Sequence, residues 1–272
     1  MPLAQTTVRD ALDSAVIALT AAGCETPQLD AEILLAEAMG VDRAALIADP
    51  LRALSPAAAG AFRDFARRRT QREPVAYIIG RKGFRRLDLE VDTRVLIPRP
   101  ETEHVVEAAL DLPAGARVVD VGTGSGAIAL ALADERPDLQ VVATDVSPDA
   151  LAVARANAAR LGLDVEFVEA DLLDGVPGPV DAVVSNPPYV REGERLGPEL
   201  LRYEPAVALY GGDDGLVFYR RLAPAVAGAS FVAFEIAGWL GEAVSELLSA
   251  EGFTTTVVKD LAGIDRVVVG WR

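Results

Sequence analysis

The sequence predicts an α/β fold: a mostly parallel sheet with helices on both faces, preceded by a small helical domain. Three observations predict it. From about residue 115 onward, short apolar runs of strand length alternate with helical stretches. A glycine-rich turn, Gly122-Thr123-Gly124-Ser125-Gly126, joins the first of those runs to a helix. Residues 1–73 carry helix starts and stops but no segment with the two-residue period of a strand.

The elements follow in order. Thr6 or Thr7 can cap a first helix whose apolar positions include Val8, Leu12, Ala15, Val16 and Leu19, with Gly23 suited to its end. Thr26-Pro27, a cap followed by proline, opens a second helix through Ile33, Leu34 and Leu35 that stops at Gly40. A short helix follows Asp42, and Ser55-Pro56 opens a fourth that ends in Arg67-Arg68-Arg69. Residues 74–100 read as a β-hairpin linker: Gly80 and Gly83 interrupt the chain, and Leu87, Leu89 and Val91 alternate with charged residues. A helix begins near Glu101, after Pro98-Arg99-Pro100.

In residues 101–272, the strands are RVVDVG, QVVATD, VEFVEA, DAVVSN, FVAFEI, TTTVVKD and RVVVGW. Helices are expected after Gly126, after Pro148 and through Val244, Leu247 and Leu248. The last two strands are joined by a short turn containing glycine, so they should pair antiparallel.

Composition narrows the chemistry. The formal net charge of -15 argues against a protein that lives on phosphate backbones. One cysteine, Cys24, forbids an internal disulfide and a thiolate zinc site; one histidine, His104, excludes a histidine-rich metal site. No secretory pattern and no apolar run of membrane-spanning length are present, so a cytoplasmic protein is expected.

The glycine turn lets the backbone approach a ligand closely at the carboxyl end of a strand. Asp145 ends the next strand, where an acidic side chain can accept from both hydroxyls of a ribose; as an alternative it could cap the helix that opens at Ser147-Pro148. Asp171-Leu172 ends the third strand and should lie near the base: Asp171 can accept from an exocyclic amine, and Leu172 offers an N–H and an apolar face. A nicotinamide cofactor would need the same turn. Two details favour S-adenosylmethionine: the turn lies mid-chain behind a helical domain, and Asn186-Pro187-Pro188-Tyr189 ends a later strand.

That tetrad carries the chemistry. The nitrogen of a planar amide is a poor nucleophile, because its lone pair is delocalised. Methyl transfer from a sulfonium develops positive charge on it, so useful groups are acceptors aimed at its N–H bonds. The side-chain oxygen of Asn186 can take one hydrogen and the carbonyl of Pro187 the other, with Pro187-Pro188 holding the backbone extended. Tyr189 offers a flat face for the planar group. The bland alternative is a loop in which two prolines stop a strand and Asn186 caps a turn. No metal is required.

The runs LIPRPETE (96–103), DVGTGSGAIALALA (120–133), TDVSPDAL (144–151), SNPPYV (185–190) and EPAVALYGGDDGL (204–216) resemble the HemK/PrmC family over nearly the whole chain. Members are protein-glutamine N5-methyltransferases that modify the Gly-Gly-Gln motif of class I peptide chain release factors. The resemblance implies a Rossmann-like class I methyltransferase sheet over 101–272 and a substrate-recognising helical domain over 1–73. It assigns Gly122, Thr123, Gly124, Ser125, Gly126, Asp145, Leu172 and Asn186 to the cofactor, to which the strand-end position adds Asp171. It assigns Asn186, Pro187, Pro188 and Tyr189 to the glutamine amide, and the acceptor chemistry above makes Asn186 and Pro187 the catalytic pair. Leu172 stands where some members carry an aromatic residue.

Monomeric action on a release factor is expected, with no stable binding of nucleic acid and no membrane contact. The alternatives are an adenine-N6 nucleic-acid methyltransferase, which would hold a flipped base with the same tetrad; a glutamine methyltransferase of a ribosomal protein; and a catalytically silent nucleoside-binding scaffold. Arg67, Arg68, Arg69, Arg72, Arg81, Lys82, Arg85 and Arg86 form a basic cluster in an otherwise acidic chain, suited either to an acidic protein partner or to a solvated surface. Arg99 and Glu101 stand where the chain enters the last domain, and His104 is given no chemistry.

Overall fold

The computed structural model describes residues 6–272. Eleven α-helices and nine strands are found among them. They are α1 (Val8–Ala21), α2 (Pro27–Met39), α3 (Arg43–Ala48), α4 (Pro56–Thr70), α5 (Val75–Ile79), β1 (Arg81–Phe84), β2 (Leu87–Glu90), α6 (Glu103–Ala109), β3 (Arg117–Val121) and α7 (Ala127–Glu135). There follow β4 (Gln140–Asp145), α8 (Pro148–Leu161), β5 (Glu166–Glu169), β6 (Ala182–Ser185), α9 (Pro198–Tyr203), α10 (Val217–Ala225), β7 (Phe231–Glu235), α11 (Gly241–Ala250), β8 (Thr254–Lys259) and β9 (Asp265–Trp271). They form two compact units. One holds the chain to Gly80 together with Gly197–Tyr203, and the other holds Arg81–Leu196 and Glu204–Arg272.

The smaller unit is helical, and its ends follow local rules. Thr7 caps α1 through a reciprocal pair with Asp10, and Gly40 closes α2 in the left-handed region that glycine tolerates. Val8, Leu19, Leu34, Leu35, Leu46 and Phe62 form its apolar centre, with Cys24 buried among them. A buried ion pair crosses this centre: Arg69 Nε donates to Asp30 Oδ2 at 2.7 Å. Arg69 and Arg72 also both donate to Glu199 of α9, at 3.0 and 2.6 Å.

In the larger unit a seven-stranded sheet has the order β5-β4-β3-β6-β7-β9-β8. The first five strands pair parallel, while β9 pairs antiparallel with both β7 and β8. The central strands are apolar without interruption because both faces are buried. Val118, Val141, Val184 and Ala233 point to one core with α6 and α7, and Val119, Val142, Val183 and Phe234 to the other with α10 and α11.

Two sequence expectations change. Residues 74–100 are not a uniform hairpin linker. Val75–Ile79 is a short helix that buries Tyr77 and Ile78 and ends at Gly80, φ 76°. The hairpin is limited to residues 81–90, with Gly83 inside β1, and it packs into the larger unit. Phe84 and Leu89 enter its core, the side-chain amide of Asn157 bonds the backbone of Glu90 in both directions, and Arg85 grips Glu135 through two 2.7 Å bonds. Helices α9 and α10, between β6 and β7, have no counterpart in the sequence reading.

Candidate active site

The order of the sheet decides where a ligand can sit. The chain runs from β3 to its neighbour β4 on one side, while β6 lies on the other side of β3. At such a switch point the loops leaving the carboxyl ends diverge and open a crevice. The glycine turn follows β3, Asp145 ends β4 and Asn186 follows β6. Two buried hydroxyls stitch these ends together: Ser185 Oγ donates to the Val121 carbonyl at 2.7 Å, and Thr144 Oγ1 to that of Leu172 at 3.0 Å.

A cavity of about 350 Å³ occupies the crevice. Gly122, Gly124, Asp145, Asp171, Leu172, Asn186, Pro187 and Pro188 line it, so most residues assigned to the cofactor and acceptor share one space. Thr123, Ser125 and Gly126 are turned into the protein and shape the turn. Thr123 Oγ1 donates to Asp120 Oδ2 at 2.6 Å, and the Ser125 carbonyl accepts from Asn157. At Gly126, φ is 87° and an added Cβ would meet Leu130 Cδ1 at 2.8 Å, so only glycine lets α7 start there.

Asp145 is part of the turn. Its Oδ2 accepts from Gly124 N and its Oδ1 from Ser147 N, both at 2.9 Å. Capping of α8 falls to Ser147, whose hydroxyl accepts from Ala150 N. Burial pushes the Asp145 carboxyl up, partly offset by these backbone donors. Asp171 is exposed and ion-paired with Arg221 at 2.6 Å, so its carboxylate is engaged beside the cavity. Leu172 is buried with φ 58°, a left-handed conformation uncommon for leucine and held by the bond from Thr144.

At Asn186 the side-chain nitrogen donates to Thr102 Oγ1 at 3.0 Å. The side-chain oxygen is thereby the end left to face the cavity. Tyr189 packs against the core below β6, its hydroxyl lies 3.5 Å from Glu235 Oε1, and burial next to that carboxyl raises its pKa strongly. Tyr210 is the tyrosine in the cavity lining.

Sequence reasoning missed the wall built by Pro205, Val207, Tyr210, Gly211, Val217 and Phe218. This segment braces the tetrad. Gly211 N donates to the Val190 carbonyl at 2.8 Å, and Val190 N to that of Leu209 at 2.9 Å. A Cβ on Gly211 would lie 2.6 Å from the Pro188 carbonyl oxygen, and one on Gly215 2.5 Å from that of Tyr189. The signal was the glycine-rich run EPAVALYGGDDGL, whose contacts are not local.

A family model described as the PrmC N-terminal domain matches residues 10–80, and one described as the methyltransferase small domain matches residues 101–223. A release factor glutamine methyltransferase of Koribacter versatilis is 44% identical, over 97% of this chain and 98% of its own. The chain belongs to the release factor glutamine methyltransferase family. The relative of that name in Moorella thermoacetica is also 44% identical, over 98% of this chain and 99% of its own. A methyltransferase structure from Pyrococcus furiosus, 20% identical, covers 68% of this chain and 88% of its own with a TM-score of 0.52, which speaks to the fold alone.

Within this family chain, the conspicuous arginines are spent internally. Arg67 pairs with Asp64, Arg68 with Glu73, Arg85 with Glu135 and Arg86 with Asp134. Arg99 pairs with Glu204, and His104 Nδ1 lies 3.3 Å from Glu107 Oε2. Among the described residues no group of His, Cys, Asp and Glu is arranged to hold a metal, and no helix is long and apolar enough to cross a membrane.

Proposed function

We propose that the chain transfers a methyl group from S-adenosylmethionine to the side-chain amide nitrogen (N5) of the glutamine in the Gly-Gly-Gln motif of class I release factors. One observation carries this reading. The glycine turn, Asp145 and the Asn186-Pro187 pair line a single cavity, and the Asn186 amide has its nitrogen tied to Thr102.

The residues fit the cofactor. A ribose needs a carboxylate acceptor at the end of β4, and Asp145 stands there. Asp145 offers a cationic nucleoside an acidic side chain and Leu172, Val146 and Ala150 offer it apolar surface, while the two arginines of the lining are paired, Arg221 with Asp171 and Arg94 with Asp92. When bound, S-adenosylmethionine supplies an electrophilic methyl on sulfur and leaves as S-adenosylhomocysteine.

The remaining work belongs to this chain. Asn186 Oδ1 and the Pro187 carbonyl accept the two hydrogens of the glutamine NH2, which orients the nitrogen and stabilises the positive charge that develops there. Methyl transfer would form a C–N bond as the donor's C–S bond broke, and one of the two hydrogens held by Asn186 and Pro187 would then leave as a proton to solvent. Pro187 and Pro188 keep these acceptors from reorganising. Glutamine is distinguished from glutamate by the same acceptors, because a carboxylate presents no hydrogen to them.

The reading includes action as a monomer in the cytoplasm, where release factors meet the ribosome. Its test is mass spectrometry of purified class I release factors after incubation with the enzyme and S-adenosylmethionine. One added methyl on the Gly-Gly-Gln glutamine is expected. Methyl incorporation into duplex DNA or a ribosomal protein, with none into the release factors, would overturn it.

A further inference from the structure

A glutamine that enters the cavity remains part of a polypeptide, and that polypeptide needs a seat outside it. The tetrad itself leads to one. Pro188 lines the cavity, and Arg191, three residues on and exposed, lines a second, more open groove of about 430 Å³ with Glu192, Gly193, Glu194 and Trp239. Three residues reach at most about 11 Å, so the groove begins close to the acceptor site.

Trp239 ties the groove to the tetrad. A Cβ on Gly215 would lie 2.5 Å from the Tyr189 carbonyl oxygen and 3.0 Å from Trp239 Cη2, so the tetrad backbone and the edge of the indole close on the same glycine. Trp239 is nonetheless 47% exposed, and the Arg191 guanidinium lies over its ring, 3.5 Å from the centre. A single exposed aromatic side chain is ordinary. This one carries an arginine that has no carboxylate partner among the described residues, although Glu192 and Glu194 stand one and three positions away. Arg85, Arg86 and Arg99 are each ion-paired. Tryptophan and arginine are the residues that most often carry binding energy in an interface.

We propose that Trp239 and Arg191 form the docking face for the Gly-Gly backbone that precedes the acceptor glutamine. The proposal rests on the release-factor reading above and names the part of that substrate the groove takes. A Gly-Gly segment has no side chains to recognise. It offers flat peptide planes, N–H donors and carbonyl acceptors, and without Cβ atoms it approaches an aromatic face closely. The indole takes a peptide plane, the guanidinium donates to carbonyls, and the carboxylates of Glu192 and Glu194 accept N–H bonds. Gly193, φ 80°, turns the chain between those two carboxylates. The same carboxylates make the groove a poor seat for a phosphate backbone, which a nucleic-acid substrate would bring.

The test measures kcat and KM of full-length Trp239→Ala, Trp239→Phe and Arg191→Ala beside the unaltered enzyme. The substrate is a class I release factor, either with Gly-Gly-Gln or with the second glycine of the motif replaced by alanine. Calorimetry gives the affinity for S-adenosylhomocysteine. Trp239→Ala should raise KM for the Gly-Gly-Gln form by about tenfold, more than it lowers kcat, with S-adenosylhomocysteine still bound, and Trp239→Phe should recover most of the loss. Arg191→Ala should raise KM in the same direction, and its exposed side chain keeps the test open if Trp239→Ala does not fold. Alanine in the motif should raise KM of the unaltered enzyme by about tenfold and that of Trp239→Ala by less than about threefold, because the ring that the added methyl meets is gone. A KM within about twofold of the unaltered enzyme in Trp239→Ala and Arg191→Ala, or the same alanine penalty in every enzyme, would overturn the proposal while methylation of the release factor kept the functional reading standing. No methylation of the release factor by the unaltered enzyme would overturn both.

Discussion

The guanidinium of Arg99 donates to Glu204 Oε1 at 2.5 Å, joining two segments that lie 105 positions apart in the chain. Arg99 also donates to the Ile97 carbonyl at 2.9 Å, and Glu204 is 2% exposed at its side chain. The pair fastens the proline-rich run before α6 to the wall that begins at Pro205. Arg99→Ala would strand a buried carboxylate, which costs about 3 kcal/mol. Thermal unfolding should show a lower Tm for Arg99→Ala, partly restored when Glu204→Gln is added. An unchanged Tm in the single variant would show that the pair does not hold the segment.

Gly215 is predicted to be a site where activity is lost before the fold. Its φ is 73°, and an added Cβ would meet the Tyr189 carbonyl oxygen at 2.5 Å and Trp239 at 3.0 Å. The strain of Gly215→Ala is relieved most easily by moving the Tyr189 backbone, and Pro187 and Pro188 move with it. A displacement of an ångström at the acceptor costs about 100-fold in rate. Steady-state kinetics should show that loss in kcat with near-normal affinity for S-adenosylhomocysteine. Equal loss of both would place the damage in the cofactor site instead.

Asp145 ties the cofactor turn to β4, so its carboxylate is expected to matter twice. Asp145→Asn replaces one acceptor oxygen with a donor, which cannot receive Gly124 N–H or Ser147 N–H. Loss of a charged hydrogen bond costs about 1.5–3 kcal/mol, roughly 10- to 100-fold in affinity. Calorimetry should show this for S-adenosylmethionine and S-adenosylhomocysteine alike. Undiminished affinity would contradict the ribose assignment.

Asp120 makes the fold sensitive to pH. It is buried below the glycine turn, with Oδ1 unpartnered among the described residues, and burial pushes its carboxyl up to about 7. Between the ordinary carboxylate value and about 7 the unfolded chain releases this proton while the folded protein keeps it. Stability therefore falls as pH rises through that window, by about 4 kcal/mol from this group. Asp120→Asn keeps an acceptor for Thr123 and Ala129 and removes the charge. Its Tm should exceed that of the unaltered protein at pH 8 and fall less steeply from pH 5. Glu235, also pushed up by burial, leaves a residual slope of the same sign.

The parts of the fold that were legible are those written locally. Strands buried on both faces are continuous apolar runs, and helix caps such as Thr7, Ser55 and Ser147 act within three residues. Helix α10 was not legible in the same way, because Pro224 near its end reads as a breaker although the last turn tolerates it. The hairpin was visible, but its place in the larger core depends on Asn157 and Glu135, far along the chain. In the site, the glycine turn, Asp145 and Asn186 could be read because each ends a strand. Thr102, Glu204 and Glu235 could not, because their partners are chosen by the sheet order and not by spacing. The inward course of the Tyr189 hydroxyl towards Glu235 was likewise invisible, because Glu235 lies 46 positions along the chain.

The central claim is that the oxygen of Asn186 receives a hydrogen of the glutamine amide during methyl transfer. Single-turnover kinetics of Asn186→Ala, with a bound class I release factor and saturating S-adenosylmethionine, test it most directly. The rate constant should fall by about 100-fold while the release factor and cofactor still bind, since one preorganised acceptor of developing charge is removed. A rate constant equal to that of the unaltered enzyme would contradict the account.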